Sequence, residues 1–365
     1  MKIGITGAAG MIGWHLRCHL KQFGTHEVIL ATRDTFCSEE ALANFVACCD
    51  AVVHLAGVNR GPDENIANTN PNLAKTLTDA CDKSAVTPHI VYASTTHADS
   101  DSVYGKSKRQ AGDILEAWSK ESGAQLSIAI LPHVFGEGTR PFYNSAVATF
   151  AYQLAIGEEP EIHNDAELEL IHAQDVCAEL VRLLERRETG SRRLTGERIR
   201  VSAALRRLRG LAESYNLHIV PDVRTPLDLR LLNLYRSYLF PKKYPRYLER
   251  KTDERGHLVE AIKNHNGGQA FFSTTKPGIT RGNHFHFHKI ERFLVVEGSA
   301  TIRIRRLFDT EVHAFEVRGD VPAYIDMPPL HTHNITNTGD RDLLTLFWAH
   351  EIFDPDSPDT IAEPV

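Results

Sequence analysis

The sequence predicts an α/β domain, a doubly wound parallel sheet, followed by an all-β barrel or sandwich, with the division at residues 1–245 and 246–365. Three observations carry this. Short apolar runs alternate with helical patterns through the first part, which implies a parallel sheet covered on both faces. From about Lys251 onward, strand-like runs are separated by turn signals with no long helical pattern between them. The length of 365 residues suits two or three domains at about 150 residues each.

The elements follow in order. Lys2–Thr6, Glu27–Thr32, Ala51–Leu55, His89–Ser94 and Leu126–Leu131 are nearly continuously apolar and read as strands of the buried sheet. The first helix spaces Ile12, Leu16, Leu20 and Phe23 on one face and stops at Gly24. Arg186–Arg209 carries nine arginines against two glutamates and reads as a solvated helix face plus loop. Residues 220–250, rich in Pro, Leu and Tyr, read as a cover for the sheet edge leading into the second domain. Turns beyond Lys251 are marked by Asn266-Gly267, Lys276-Pro277-Gly278, Glu297-Gly298, Arg318-Gly319-Asp320, Pro328-Pro329 and Thr338-Gly339-Asp340.

Composition narrows the function classes. Hydrophobic residues at 42% and charged residues at 24% exclude a disordered or fibrous chain. The net charge of −6 argues against nucleic acid and membrane surfaces as partners. No apolar run approaches the length of a membrane span, and no secretory signal is expected. Six cysteines without paired spacing read as reduced thiols of a cytoplasmic protein.

Gly7-Ala8-Ala9-Gly10-Met11-Ile12-Gly13 follows the first strand and opens the first helix. Gly7 permits the turn, Gly10 lets backbone approach a pyrophosphate, and Gly13 lets the helix pack on the strand. Met11 and Ile12 begin the helix whose free N–H groups and positive dipole end suit phosphates. The second strand ends in Thr32-Arg33-Asp34, where Arg33 suits the 2′-phosphate of NADP and Asp34 the ribose of NAD; Arg33 comes first, which favours NADP(H).

Tyr104 and Lys108 are four apart and share a helix face. A neighbouring ammonium stabilises a phenolate, so Tyr104 can pass a proton to a sugar oxygen while a nicotinamide exchanges hydride. Ser94-Thr95-Thr96 supplies hydroxyls to hold the reacting oxygen. In the second part, His284 and His286 alternate onto one side of a strand and Glu291 faces them across a turn. With His333 they form a three-nitrogen, one-oxygen set suited to a divalent metal, zinc foremost.

Thr6-Gly7-Ala8-Ala9-Gly10-Met11-Ile12-Gly13 resembles the extended short-chain dehydrogenase/reductase family, which is Rossmann-like. The resemblance implies that Leu55, Ala56 and Gly57 form the adenosine-side loop and that Asn70 is the helix asparagine of the cofactor site. Counting back from Tyr104, it puts the catalytic hydroxyl on Thr95, with Ser94 in reserve. His284-Phe285-His286, Glu291 and Gly298 resemble the first cupin motif, which implies that the all-β part is a cupin (jelly-roll) barrel. In the second motif Pro328-Pro329-Leu330 stands where Pro-x-Gly is usual.

The whole chain resembles the bifunctional capsular polysaccharide enzymes of the UDP-N-acetyl-L-fucosamine route, with support from His54–Arg60, Tyr143-Asn144-Ser145, Lys276–Thr280, Phe293–Val296 and Phe353-Asp354-Pro355. That implies C3 epimerisation of a UDP-2-acetamido-2,6-dideoxy-4-ketohexose in the cupin, then NADPH-dependent C4 reduction. It also implies a UDP-amino-sugar contacted by Asn59, Arg60, His133 and Asn144, and a homodimer. Lys276, His288 and His331 are candidates for the cupin base. A single-function 4-ketosugar reductase or 4-epimerase with a structural or sugar-binding cupin is the alternative.

Overall fold

A computed structural model describes every residue of the chain except Asn266, and every remaining side chain except that of Phe23. The Asn266 half of one expected turn and the Phe23 end of the first helix's apolar face therefore lie outside the described residues. The chain divides into two compact units, Met1–Thr139 with Glu167–Ile199, and Arg140–Ala166 with Arg200–Val365.

The first unit is built on a six-stranded parallel sheet. Its strand order is Glu27–Ala31, Lys2–Thr6, Ala51–His54, His89–Thr95, Leu126–Leu131, Gly190–Arg193. Alternation along each strand sends side chains to two separate cores. Ile3, Ile5, Val53 and Val91 meet Leu16 and Leu20 of the first helix and Val176, Leu180 and Leu184 on one face. Val52, Ile90 and Tyr92 meet Phe45, Leu77, Leu115 and Trp118 on the other. From Lys2–Thr6 the order runs outward one way to Glu27–Ala31 and the other way to Ala51–His54. A crevice opens at the carboxyl ends of strands where such an order reverses, and ligands of open α/β sheets bind there.

The five expected strands are present within one residue at either end. The sixth is not where periodicity points. Gly190–Arg193 is exposed along its length and lies within the arginine-rich run, which also supplies the strand Glu197–Arg200 and the start of the helix Val201–Asn216. An exposed edge strand carries no apolar alternation to read. Its arginines are matched by carboxylates: Arg193 lies 2.6 Å from Glu169, and Arg192 3.1 Å from Glu179.

In the second unit, the helices Ala146–Ile156, Val201–Asn216 and Pro226–Leu239 belong with the β-rich region. Residues 220–250 thus contribute a helix, Pro226–Leu239, with Leu227, Leu231, Leu232, Leu234 and Leu239 buried. Two five-stranded sheets follow. One runs Arg246–Tyr247, Ala323–Asp326, Glu291–Glu297, Leu343–Ala349, Gln269–Thr275; the other runs Val312–Arg318, Ser299–Arg306, His331–Asn337, Thr280–Phe285, Ile361–Ala362. All their pairings are antiparallel. All six cysteines are free thiols. Among the described residues, no helix is long and apolar enough to cross a membrane.

Candidate active sites

In the first unit the glycine loop is fastened by Thr6. Its hydroxyl oxygen accepts the N–H groups of Leu55 (3.2 Å) and Ala56 (3.1 Å), which leaves its proton for His54 Nδ1 at 2.8 Å. The ends of two adjacent strands are thereby tied together. Gly7 takes φ +69°, and a Cβ there would stand 2.7 Å from the Ala56 nitrogen; at Gly13 a Cβ would stand 2.4 Å from the Gly7 oxygen. Both positions exclude any side chain. A Cβ on Gly10 would meet only the Gly7 oxygen, at 3.2 Å, so its outer side is open. Gly10 caps the helix Met11–Phe23 without a side-chain hydrogen bond, which leaves the first N–H groups of Met11, Ile12 and Gly13 to a ligand. The cradle fits a dinucleotide pyrophosphate.

Arg33 and Asp34 are both exposed in the short helix Arg33–Cys37, just past the second strand, with Thr32 forming a capping box with Thr35. Asn70 is 2% exposed and acts as a tie: its Oδ1 accepts from Val58 N (2.9 Å), and its Nδ2 donates to Val58 O (2.9 Å) and Ser107 Oγ (2.8 Å). It fixes the loop after Gly57 against the helix that carries Tyr104 and Lys108.

That helix, Val103–Ser122, starts at Ser102, whose hydroxyl accepts from Gly105 N at 3.0 Å. Tyr104 is half-buried and Lys108 is 6% exposed. The Lys108 ammonium sits 4.2 Å from the centre of the Tyr92 ring, a cation–π contact. Burial pushes its pKa down to about 7. His54, stacked on Tyr92 at 5.7 Å, is held neutral by burial, and secondarily by Lys108, with a pKa down at about 3. Thr95 ends the strand His89–Thr95, is nearly buried, and accepts from His97 N at 3.2 Å.

His97 was not visible as a site residue in sequence, yet its ring lies 6.5 Å from Tyr104 and 5.6 Å from His133. Burial, and then the neighbouring His97, lower the His133 pKa. Asn59 is half-buried and Arg60 exposed in the loop after Gly57. Asn144 falls in the second unit, exposed, just before the Ser145-capped helix Ala146–Ile156. His172 caps the helix Ala173–Glu185 and lies 3.2 Å from the buried Glu137 carboxylate, a structural bond.

In the second unit, His284, His286, Glu291 and His333 converge, with ligand atoms all within 4.8 Å of one another. Three Nε2 atoms surround one carboxylate oxygen, Glu291 Oε2, at 3.6, 3.1 and 3.3 Å for His284, His286 and His333. The outer nitrogens of two rings donate to backbone carbonyls: His286 Nδ1 to Asp359 O (2.5 Å), and His333 Nδ1 to His331 O (3.2 Å). That fixes their tautomers with Nε2 lone pairs turned inward, as metal-ligating histidines require. His284 Nε2 is buried with no hydrogen-bond partner. An orphaned inward nitrogen beside a buried carboxylate fits a divalent cation. Burial works to raise the Glu291 pKa, but the three histidines gathered around its carboxylate outweigh it and hold the group well below its usual value. Burial lowers His333 to about 4.

The Pro328-Pro329-Leu330 turn forms despite its missing glycine. Leu330 takes φ +59°, fully buried, and its N–H bonds His286 O at 2.8 Å. The strain of a left-handed residue, about 1–2 kcal/mol, is set against the burial of a leucine side chain.

Beside this cluster lies a cavity of about 290 Å³ lined by Gln269, Phe271, His284, Lys289, Glu291, Ala349, Glu351, Phe353 and Thr360. Of the three bases suggested by sequence, Lys276 is exposed, His331 is buried against Phe240 at 5.2 Å, and His288 lies between Glu351 and Asp359; none is among the lining residues. Asp359 accepts the N–H groups of Phe287, His288 and Lys289 at 2.8 to 3.0 Å, which orders the turn after His286.

Residues 3–195 match the NAD dependent epimerase/dehydratase family. The chain belongs to this family. Residues 251–361 match the polysaccharide biosynthesis C-terminal domain. The UDP-2-acetamido-2,6-beta-L-arabino-hexul-4-ose reductase of Pseudomonas aeruginosa is 33% identical, over 99% of this chain and 98% of that protein. The capsular polysaccharide assembling protein CapF of Staphylococcus aureus is 33% identical, with a TM-score of 0.63 over the full length of both chains. RMD from Pseudomonas aeruginosa, complexed with NADPH, shares the fold of the first part at 18% identity, with a TM-score of 0.56 over 65% of this chain and 98% of that one. The expected pairing of a reductase with a C-terminal β domain of capsule enzymes is thus borne out.

Proposed function

We propose that the protein is a bifunctional nucleotide-sugar enzyme. The cupin unit inverts C3 of a UDP-2-acetamido-2,6-dideoxy-4-ketohexose, and the reductase unit then reduces the C4 ketone to give UDP-N-acetyl-6-deoxy-L-talosamine, on the way to UDP-N-acetyl-L-fucosamine. The observation that carries this is one chain holding both a Tyr104–Lys108 helix beside a dinucleotide cradle and a histidine–carboxylate cluster beside a sugar-sized cavity. The naming of the Pseudomonas relative for a 4-ketosugar supports the substrate class. In this reading the enzyme is a cytoplasmic homodimer, and residues 1–245 and 246–365 divide the two chemistries.

In the reductase, the phenol of Tyr104 gives its proton to the C4 oxygen, Thr95 holds that oxygen, and the Lys108 ammonium favours the phenolate left behind. NADPH supplies the hydride; Arg33 binds its 2′-phosphate and Gly7, Gly10, Met11, Ile12 and Gly13 its pyrophosphate. Leu55, Ala56 and Gly57 flank the adenosine, with Asn70 behind them. Asn59, Arg60 and His133 contact the UDP-sugar. In the cupin, His284, His286, Glu291 and His333 would hold a divalent ion, zinc by donor type, which when bound supplies positive charge beside a sugar oxygen. A 4-keto group acidifies the C3 proton, so the cavity residues need only remove it and shield the charge that forms.

The test is incubation with NADPH and the UDP-4-keto-6-deoxy-N-acetylhexosamine in D₂O, with the product analysed by NMR. The expected product carries deuterium at an inverted C3 and a hydroxyl at C4. Reduction with the C3 proton retained would instead establish a single-function reductase.

A further inference from the structure

Epimerisation at C3 needs a group that takes a proton from carbon, and the cavity narrows the choice. His284 and Glu291 are turned to each other within the histidine cluster. Gln269 Oε1 is held by Phe353 N at 2.8 Å, and the Thr360 hydroxyl donates to Pro358 O at 2.9 Å. Lys289 is 5% exposed and wrapped in acceptors: Pro358 O at 2.5 Å, Thr360 Oγ1 at 3.3 Å and Glu351 Oε1 at 3.8 Å. Three acceptors hold its Nζ and turn it away from the role of proton acceptor.

Glu351 remains, the one carboxylate lining the cavity outside the cluster among the described residues. Its position follows from strand register. Ala349, the last residue of its strand, pairs with Glu291, and Glu351 two residues beyond the strand end lines the same cavity. Its carboxylate faces three donors: His288 Nε2 at 3.6 Å and Lys289 Nζ at 3.8 Å from the loop after His286, and His350 Nε2 at 3.7 Å from its own segment. His350 is oriented for this, since its Nδ1 accepts from Ile290 N at 3.1 Å and its Nε2 therefore carries the proton.

We propose that Glu351 is the catalytic base of the cupin cavity, with the Lys289 ammonium facing the charge that develops on the sugar. The inference rests on the epimerase reading above. In the step, the C3–H bond breaks and its proton passes to a Glu351 oxygen. The C–H electron pair becomes the C3–C4 π bond, and the carbonyl pair moves onto the C4 oxygen, giving an enolate. Water on the opposite face then returns a proton to C3, the carbonyl re-forms, and Glu351, 32% exposed at its side chain, loses its proton to solvent. Nothing is oxidised or reduced.

The experiment follows C3 deuteration of the UDP-4-keto-6-deoxy-N-acetylhexosamine in D₂O without NADPH. Glu351→Gln keeps the size of the group and removes the base, and should slow exchange about 10²–10⁴-fold, with added formate restoring part of it. Glu351→Asp keeps the charge among its three donors but draws it back from the sugar, and should slow exchange at least tenfold even if the glutamine variant folds poorly. Exchange within threefold of wild type in a folded Glu351→Gln or Glu351→Asp protein would overturn the assignment while leaving the epimerase reading intact. Absence of exchange in the wild type would overturn both.

Discussion

Each unit contains a buried lysine in its candidate site, and the two are buried differently. Lys108 rests over the Tyr92 ring beside a neutral histidine, and burial brings its pKa down to about 7. Lys289 is enclosed by a carbonyl, a hydroxyl and a carboxylate. The same residue type therefore serves two ends. Lys108, in aromatic surroundings, can change its charge near neutrality, whereas Lys289 is held in place by three acceptors. In the proposed chemistry the first would serve a helix that moves a proton with every hydride, and the second a cavity that meets a transient anion.

The sharpest way to break this comparison is to silence one site and watch the other. Tyr104→Phe should lower ketone reduction about 10²–10⁴-fold and leave C3 exchange unchanged. Loss of both activities in a folded variant would mean that a single site does both. Next in size is removal of the divalent ion. A ligand present at about a thousand times its dissociation constant stabilises the folded state by roughly 4 kcal/mol. Chelation should therefore lower the melting temperature of the cupin transition and leave the reductase transition in place; calorimetry showing no shift in either would count against a bound metal.

The Lys108 environment has a pH signature of its own. Between about 7, its folded value, and the usual lysine value near 10.5, the unfolded chain holds more protons there than the native one. Stability of the reductase unit without cofactor should therefore rise with pH across that window and gain nothing from Lys108 below it, by about 1.4 kcal/mol per unit of displacement. Lys108→Met should flatten the rise, and urea unfolding at a series of pH values measures it. The smallest effect belongs to Arg33. A charge-assisted contact is worth roughly 1.5–3 kcal/mol, so Arg33→Ala should weaken NADPH by that amount and NADH hardly at all. Equal kcat/KM for the two cofactors in the wild type would remove the basis for an NADPH preference.

The reductase was the more legible unit because its site is local in sequence. Gly7 to Gly13 occupy one turn, Tyr104 and Lys108 one helix face, and each carries a spacing that only one local conformation satisfies. His284, His286 and Glu291 shared this advantage. Gly190–Arg193 escaped notice because a strand exposed throughout has no apolar period, and the helix Pro226–Leu239 because its grouping with the β-rich unit depends on tertiary packing. Lys289 and Glu351 were missed for a different reason. They meet only through the pairing of Ala349 with Glu291, and a lone lysine and a lone glutamate 62 positions apart leave no mark in sequence. Leu330 shows the converse case, where a residue disfavoured by local rule is kept in place by burial and by the bond to His286.

Asp359 closes the turn after His286, and it does so from 73 residues away along the chain. During synthesis at about 5–20 residues per second, that distance amounts to roughly 4–15 s. For this interval the nascent chain presents His284 and His286 without the segment that holds Lys289 and the outer nitrogen of His286. The dinucleotide cradle waits somewhat less, roughly 2.5–10 s, since Thr6 finds Ala56 at 50 residues, and it does so near the start of the chain. One ribosome therefore releases the two sites in sequence, with the phosphate cradle able to form early and the sugar cavity completed only when its last strap has been made.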